Sequence, residues 1–97
     1  MITKVMFRKW QDGGDIDAIF PEISNDDMGY GVMTYSHIGQ HSGGDPTYYY
    51  GRTVPAKPEE YADLLAELKS IGYDDLRVVK RMARGDFETR RKEAERE

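Results

Sequence analysis

The 97-residue chain carries 18 acidic and 14 basic side chains, two histidines and no cysteine, for a formal net charge of −4. This length supports one domain with one modest core, and the lack of cysteine excludes disulfides, thiol nucleophiles and cysteine-ligated zinc or iron–sulfur chemistry. No apolar run exceeds three residues, so no transmembrane helix or signal-peptide core is read, and a soluble cytoplasmic protein is expected.

Residues 3–10, Thr-Lys-Val-Met-Phe-Arg-Lys-Trp, predict a first strand. Val5 and Phe7 share one face and Met6 and Trp10 the other, which implies some cover on both sides. Gln11-Asp12-Gly13-Gly14 supplies a tight turn. Residues 15–20 predict a second strand with Ile16, Ala18 and Phe20 on one face, and Pro21 is expected to end its pairing. A polar loop over 24–29 leads to a third strand over about residues 30–38. Residues 39–46 read as a loop with Gly43, Gly44 and Asp45 as turn chemistry. A fourth strand is expected over about 47–54, containing Tyr48, Tyr49 and Tyr50.

The spacing of Tyr61, Leu64, Leu65, Leu68 and Ile71 predicts a helix over 58–71. Pro58 suits its first turn, Glu59 and Glu60 suit the positive end of its dipole, and Gly72 suits the position just past its end. Residues 75–82 predict a fifth strand returning to the sheet. After Gly85 the tail holds Phe87 as its only large apolar residue, which suits a solvated helix or a frayed terminus better than a core element. The expected fold is α+β: an antiparallel sheet, ββββαβ, with one helix on one face. A single domain spans residues 1–84, and residues 85–97 form a charged tail, a short helix or disordered.

Charge is unevenly spread. Residues 1–57 carry seven acids and five bases, and residues 58–97 carry eleven acids and nine bases. Arg77, Lys80, Arg81 and Arg84 form a local basic stretch. The overall acidic balance disfavours a generic nucleic-acid binder, whose affinity comes from neutralising phosphates.

Several stretches together carry a resemblance. They are Phe7-Arg8-Lys9, Asp15 to Glu22, Ser36-His37-Ile38-Gly39-Gln40-His41, Pro58-Glu59-Glu60-Tyr61-Ala62, and the run from Ile71 to Val79. The chain up to about residue 82 resembles a family of small uncharacterised proteins of bacteria, phages and mobile elements. The resemblance implies a bacterial or phage setting and no particular activity.

Candidate chemistry is sparse. His37, His41 and Asp45 are a candidate metal group, because imidazoles and a carboxylate can gather a zinc ion. The pair sits at a strand end and a glycine-rich loop, however, where the shared helical face of a His-x-x-x-His motif is lost. The bland alternative is a packed His37 and exposed Gln40 and His41. Ser36-His37 and His41-Ser42 are adjacent pairs whose members point to opposite strand faces, and no nucleophile elbow is present. The carboxylates Asp12, Asp15, Asp17, Glu22, Asp26 and Asp27 offer a magnesium-holding group or simply a solvated face, with Asp15 and Asp17 on one side of a strand.

The aromatic set of Tyr30, Tyr35, Tyr48, Tyr49, Tyr50 and Trp10, near Arg8 and Arg52, holds the residue types that dominate interfaces and base-stacking surfaces. Three tyrosines in a row cannot all face one core. The expected function is therefore a non-enzymatic interaction protein that binds a bacterial protein through Tyr48, Tyr49, Tyr50, Gln40, His41 and Arg52. It would act as an accessory or inhibitor of the anti-defence type, with no cofactor and no membrane contact. The enzyme alternative is a metal-assisted hydrolase using His37, His41 and Asp45 or the early carboxylates. The third reading is a nucleic-acid-binding module using Arg8, Arg52, Arg77 and Arg81.

Overall fold

The structure, a computed structural model, describes residues 2–26, 29–36 and 40–95. Among them the chain forms strands β1 (Thr3–Trp10), β2 (Ile16–Ser24), β3 (Val32–Ser36) and β4 (Gln40–Gly44), helix α1 (Pro46–Arg52), strand β5 (Thr53–Pro55), helix α2 (Pro58–Ser70), strand β6 (Leu76–Val79) and helix α3 (Asp86–Glu95). The class is α+β.

The sheet runs β4-β3-β2-β1-β5, and β6 also pairs with β1. Pairing is antiparallel throughout except for β6, which lies parallel to β1 with Val5 opposite Val78. Two strands thus share the outer edge of β1. The short β5 takes Arg8 to Trp10, and β6 takes Thr3 to Met6.

Register follows the hydrophobic pattern. Phe7 faces Ala18 across β1–β2, and Ala18 faces Tyr35 across β2–β3. Alternation then gathers Val5, Phe7, Ala18, Phe20 and Tyr35 on one sheet face, where Leu64 and Leu68 of α2 complete a buried cluster. The intervening residues Met6, Ile19 and Val32 form a second cluster on the opposite face with Tyr49, bordered by Trp10, Val79 and Met82. β1 and β2 are therefore central strands covered on both sides, which is why their alternation reads imperfectly in the sequence.

Helix α2 ends as its sequence requires. Gly72 has φ +121°, the Gly72 N–H donates to the Lys69 carbonyl at 3.3 Å, and the Tyr73 N–H donates to the Leu68 carbonyl at 3.1 Å. This paired arrangement closes a helix through a left-handed residue. At the other end no Ser, Thr, Asp or Asn caps the helix. Instead the Glu60 carboxylate accepts from the Lys57 N–H at 2.9 Å and from Lys9 Nζ at 2.6 Å. One side chain thus caps α2 and ties it to β1.

Several expectations are corrected. Residues 47–52 are helical, and only Thr53 and Val54 of the expected fourth strand are extended, in β5. Asp45 Oδ1 accepts from the Thr47 N–H at 2.9 Å and Pro46 occupies the first turn, so the Asp-Pro pair starts a helix. Burial of Tyr49 then outweighs the strand preference of three tyrosines. The fourth strand lies earlier, in the presumed loop. β4 passes so close to the β2–β3 connection that a Cβ on Gly43 would fall 2.4 Å from Asn25. Gly43 serves close approach rather than turning. β2 also continues past Pro21, through an irregularity between Phe20 and Ser24 where its register to β3 shifts; such a bulge tolerates proline within a sheet.

Finally, the sheet carries three helices rather than one, and the charged tail forms the short helix α3. α3 packs on β2, with Asp86 and Arg90 buried. Arg90 donates to the carbonyls of Pro21 (2.7 Å) and Gly29 (3.1 Å), and Asp86 accepts from Lys4 Nζ (3.0 Å) and the Ala83 N–H (2.6 Å). This docking is polar, which a search for apolar periodicity does not register. Among the described residues no helix is long and apolar enough to cross a membrane.

Three outcomes follow. Leu68→Ala, at a fully buried position, is expected to cost about 2–5 kcal/mol in a denaturant titration. Ile71→Ala, at an exposed position three residues on, is expected to stay within about 0.5 kcal/mol. In pH-dependent unfolding, the Lys9 ammonium and the Lys57 N–H hold the Glu60 carboxyl below its ordinary range. Its contribution is therefore present above the unfolded-state pKa and lost as pH falls through the folded-state value. Glu60→Gln is expected to flatten that acid limb.

Candidate functional site

Four of the residues expected to carry function, Tyr48, Tyr49, Tyr50 and Arg52, lie on α1. Helical rotation of about 100° per residue, rather than strand alternation, separates the three tyrosines. Tyr49 points into the second core cluster, while Tyr48 and Tyr50 splay to either side, 51% and 37% exposed.

Tyr48 sits at the centre of an aromatic–cation group. The Arg52 guanidinium, one turn along, lies over its ring at 4.6 Å, and Trp10 meets it edge-on at 6.0 Å. Trp10 also meets Tyr49 edge-on at 5.7 Å. The indole itself is fixed. Its Nε1–H donates to Asp17 Oδ2 at 2.9 Å, and Asp17 Oδ1 accepts from Ser36 Oγ at 3.0 Å. Asp17 is thus a buried carboxylate spent on holding an aromatic residue in place.

On the other flank, Tyr50 Oη accepts from the Met82 N–H at 2.7 Å and lies 3.5 Å from Met6 Sδ. The Arg8 guanidinium stands over the Tyr50 ring at 4.7 Å. Arg8 is 6% exposed and gives Nε to Thr53 Oγ1 (2.9 Å) and a terminal nitrogen to the Thr53 carbonyl (2.8 Å). The Thr53 hydroxyl in turn donates to the Tyr49 carbonyl. Desolvation pushes the Arg8 pKa below its ordinary value, while the ring face and the oxygens compensate the buried charge. α1 is consequently anchored at its start by Asp45 and at its end by Arg8 through Thr53.

The other expected sites are not assembled among the described residues. His37 lies outside them, as do the side chains of Gln40 and His41; the backbone of β4 pairs His41 with Tyr35. Asp45 is engaged in capping α1. No cluster of three or more His, Asp or Glu side chains among the described residues is placed to hold a metal ion. Asp15 and Asp17 do not share a strand face, because β2 begins at Ile16. Asp15 borders a shallow 310 Å³ depression with Glu60 and Asp63 on the α2 side, whereas Asp17 serves Trp10 on the α1 side.

Asp26 organises its own loop, accepting from the N–H groups of Gly29 (2.7 Å), Tyr30 (3.3 Å) and Gly31 (2.8 Å); Asp27 lies outside the described residues. Of the four arginines considered for nucleic acid, Arg8 is consumed internally, while Arg52, Arg77 and Arg81 are exposed. Sequence reasoning missed the roles of Arg8, Asp17 and Thr53. The signal was present in β1, since a charged residue in a strand covered on both faces has to be buried and paired. Comparison with family models, with curated proteins and with solved structures found no match to this chain.

Replacing Asp17 by Ala strands the Trp10 indole N–H and the Ser36 hydroxyl. It is expected to cost about 1–3 kcal/mol and to shift the emission of Trp10, the sole tryptophan.

Proposed function

We propose that this protein acts by binding another protein through α1, with Tyr48 as the central contact and Trp10 and Arg52 beside it, and that it is not an enzyme. The single observation that carries this reading is the state of Tyr48. It is a large aromatic side chain half exposed to solvent, yet set between the Arg52 guanidinium and an indole that Asp17 holds in place. Tyr, Trp and Arg are the residue types that concentrate binding energy in interfaces. Rigid anchors also lose little side-chain freedom when a partner closes over them. Tyr50, tethered to Met82 and Arg8, extends the same surface.

In the setting implied by the resemblance the partner is a bacterial protein. The chain is then its accessory or inhibitor, of the anti-defence kind when carried by a phage or mobile element.

The test is affinity capture from bacterial lysate with the full chain, Tyr48→Ala and, as a control on the far side of the sheet, Lys69→Ala. A stoichiometric partner is expected with the parent and with Lys69→Ala. Tyr48→Ala, folded by circular dichroism, is expected to bind about tenfold more weakly or worse. Absence of a stoichiometric partner, or retention of it by Tyr48→Ala, overturns the proposal.

A further inference from the structure

The charge distribution around α1 identifies the chemistry of the partner. Residues 46–54 and 76–85 contain no acidic side chain, and between them they hold Arg52, Arg77, Lys80, Arg81 and Arg84. Every one of the 18 acids lies elsewhere in the chain, against nine bases.

The fold brings these two acid-free stretches together. The Met82 N–H donates to Tyr50 Oη at 2.7 Å. Met82 and Val79 border the same core cluster as Tyr49, so both lie on the α1 side of the sheet. Arg77, two residues before Val79 in β6, lies on that side by alternation. All five cations are exposed. None of the ion pairs found among the described residues involves them; those pairs use Lys4, Lys9 and Arg91. A chain of net charge −4 therefore presents an aromatic helix beside an unneutralised basic strip.

The geometry points to an acidic protein segment as the occupant of this surface, its carboxylates paired with Arg52 on the Tyr48 flank of α1 and with Arg77 and Arg81 on the Tyr50 flank, and its apolar side chains set against Tyr48 and Tyr50. This rests on the protein-binding reading above and names the partner's chemistry. Nucleic acid is the lesser fit. Arg8 is turned inward onto Thr53, and the acids over the rest of the chain repel a long polyanion that would extend past the strip. A short acidic segment needs only the strip, and complementary charge gives it orientation and a fast encounter.

Trp10, edge-on to Tyr48, reports occupancy of the surface by its fluorescence. The full chain is titrated with poly-L-glutamate, poly-L-lysine and a single-stranded oligothymidylate. Poly-L-glutamate is expected to change the emission saturably and poly-L-lysine not at all. The apparent affinity for poly-L-glutamate is expected to fall about tenfold or more between about 50 and about 300 mM salt. Arg81→Glu is expected to weaken it by at least about tenfold, and Lys69→Glu, which changes net charge equally on the other side of the sheet, by less than about twofold.

Equal losses for both variants reduce the effect to net charge and overturn the inference. Tighter binding of the oligothymidylate than of poly-L-glutamate overturns it in favour of nucleic acid. A silent Trp10 together with a Tyr48-dependent partner that survives the higher salt overturns the acidic-partner inference and leaves the protein-binding reading standing. Failure of both the titration and the capture removes both.

Discussion

The arrangement around α1 depends on one buried cation. Arg8 sits on the central strand β1, and its guanidinium spends two hydrogen bonds on Thr53 and its flat face on Tyr50. A guanidinium taken from water without such partners costs several kcal/mol; here the partners are the residues that end α1 and begin β5. Arg8 thereby fixes where the helix stops, where the strand starts and how Tyr50 is aimed. Tyr50 is thus aimed by a charge that solvent hardly touches.

A second polar device repeats this logic at the other end of the same face. Arg90 and Asp86 attach α3 to β2 and to Lys4 through carbonyls and an ion pair, so a helix almost without apolar side chains is still part of the folded body. Desolvation lowers the Arg90 pKa, and Asp86 and Asp26 counter it. The two sheet faces thus differ in kind. α2 is held mainly by aliphatic and aromatic packing, and α1 and α3 largely by buried arginines. That difference explains a 97-residue chain with a charged fraction of 33% and a well-filled core.

It also explains which elements could be read in advance. α2 was legible because its apolar stripe, proline start and glycine stop all agree. The hairpin of β1 and β2 and the return of β6 were legible from alternation and turn chemistry. The stretch 40–54 misled because its local signals compete: consecutive tyrosines favour a strand, paired glycines favour a turn, and Asp45-Pro46 favours a helix start. The contacts of Gly43 with Asn25 and of Tyr49 with the sheet decide among them, and neither partner is a sequence neighbour. At the candidate surface the tyrosines and Arg52 were recognisable by residue type. The roles of Arg8 and Asp17 emerge only once both faces of β1 are seen to be covered.

The shared edge of β1 has a consequence for how the chain is made. β1 leaves the ribosome first among the strands, yet one of its edge partners, β6, begins at residue 76, and Lys4 waits for Asp86, 82 residues later. Contacts of such separation slow folding, because loop closure has to be paid for before they reward it. Until that distant stretch emerges, the nascent β1–β4 meander carries an apolar strand with an unpaired edge. The sheet therefore completes its pairing only after residues 76–79 have been synthesised, and Arg90, which ties α3 to the Pro21 carbonyl, follows them.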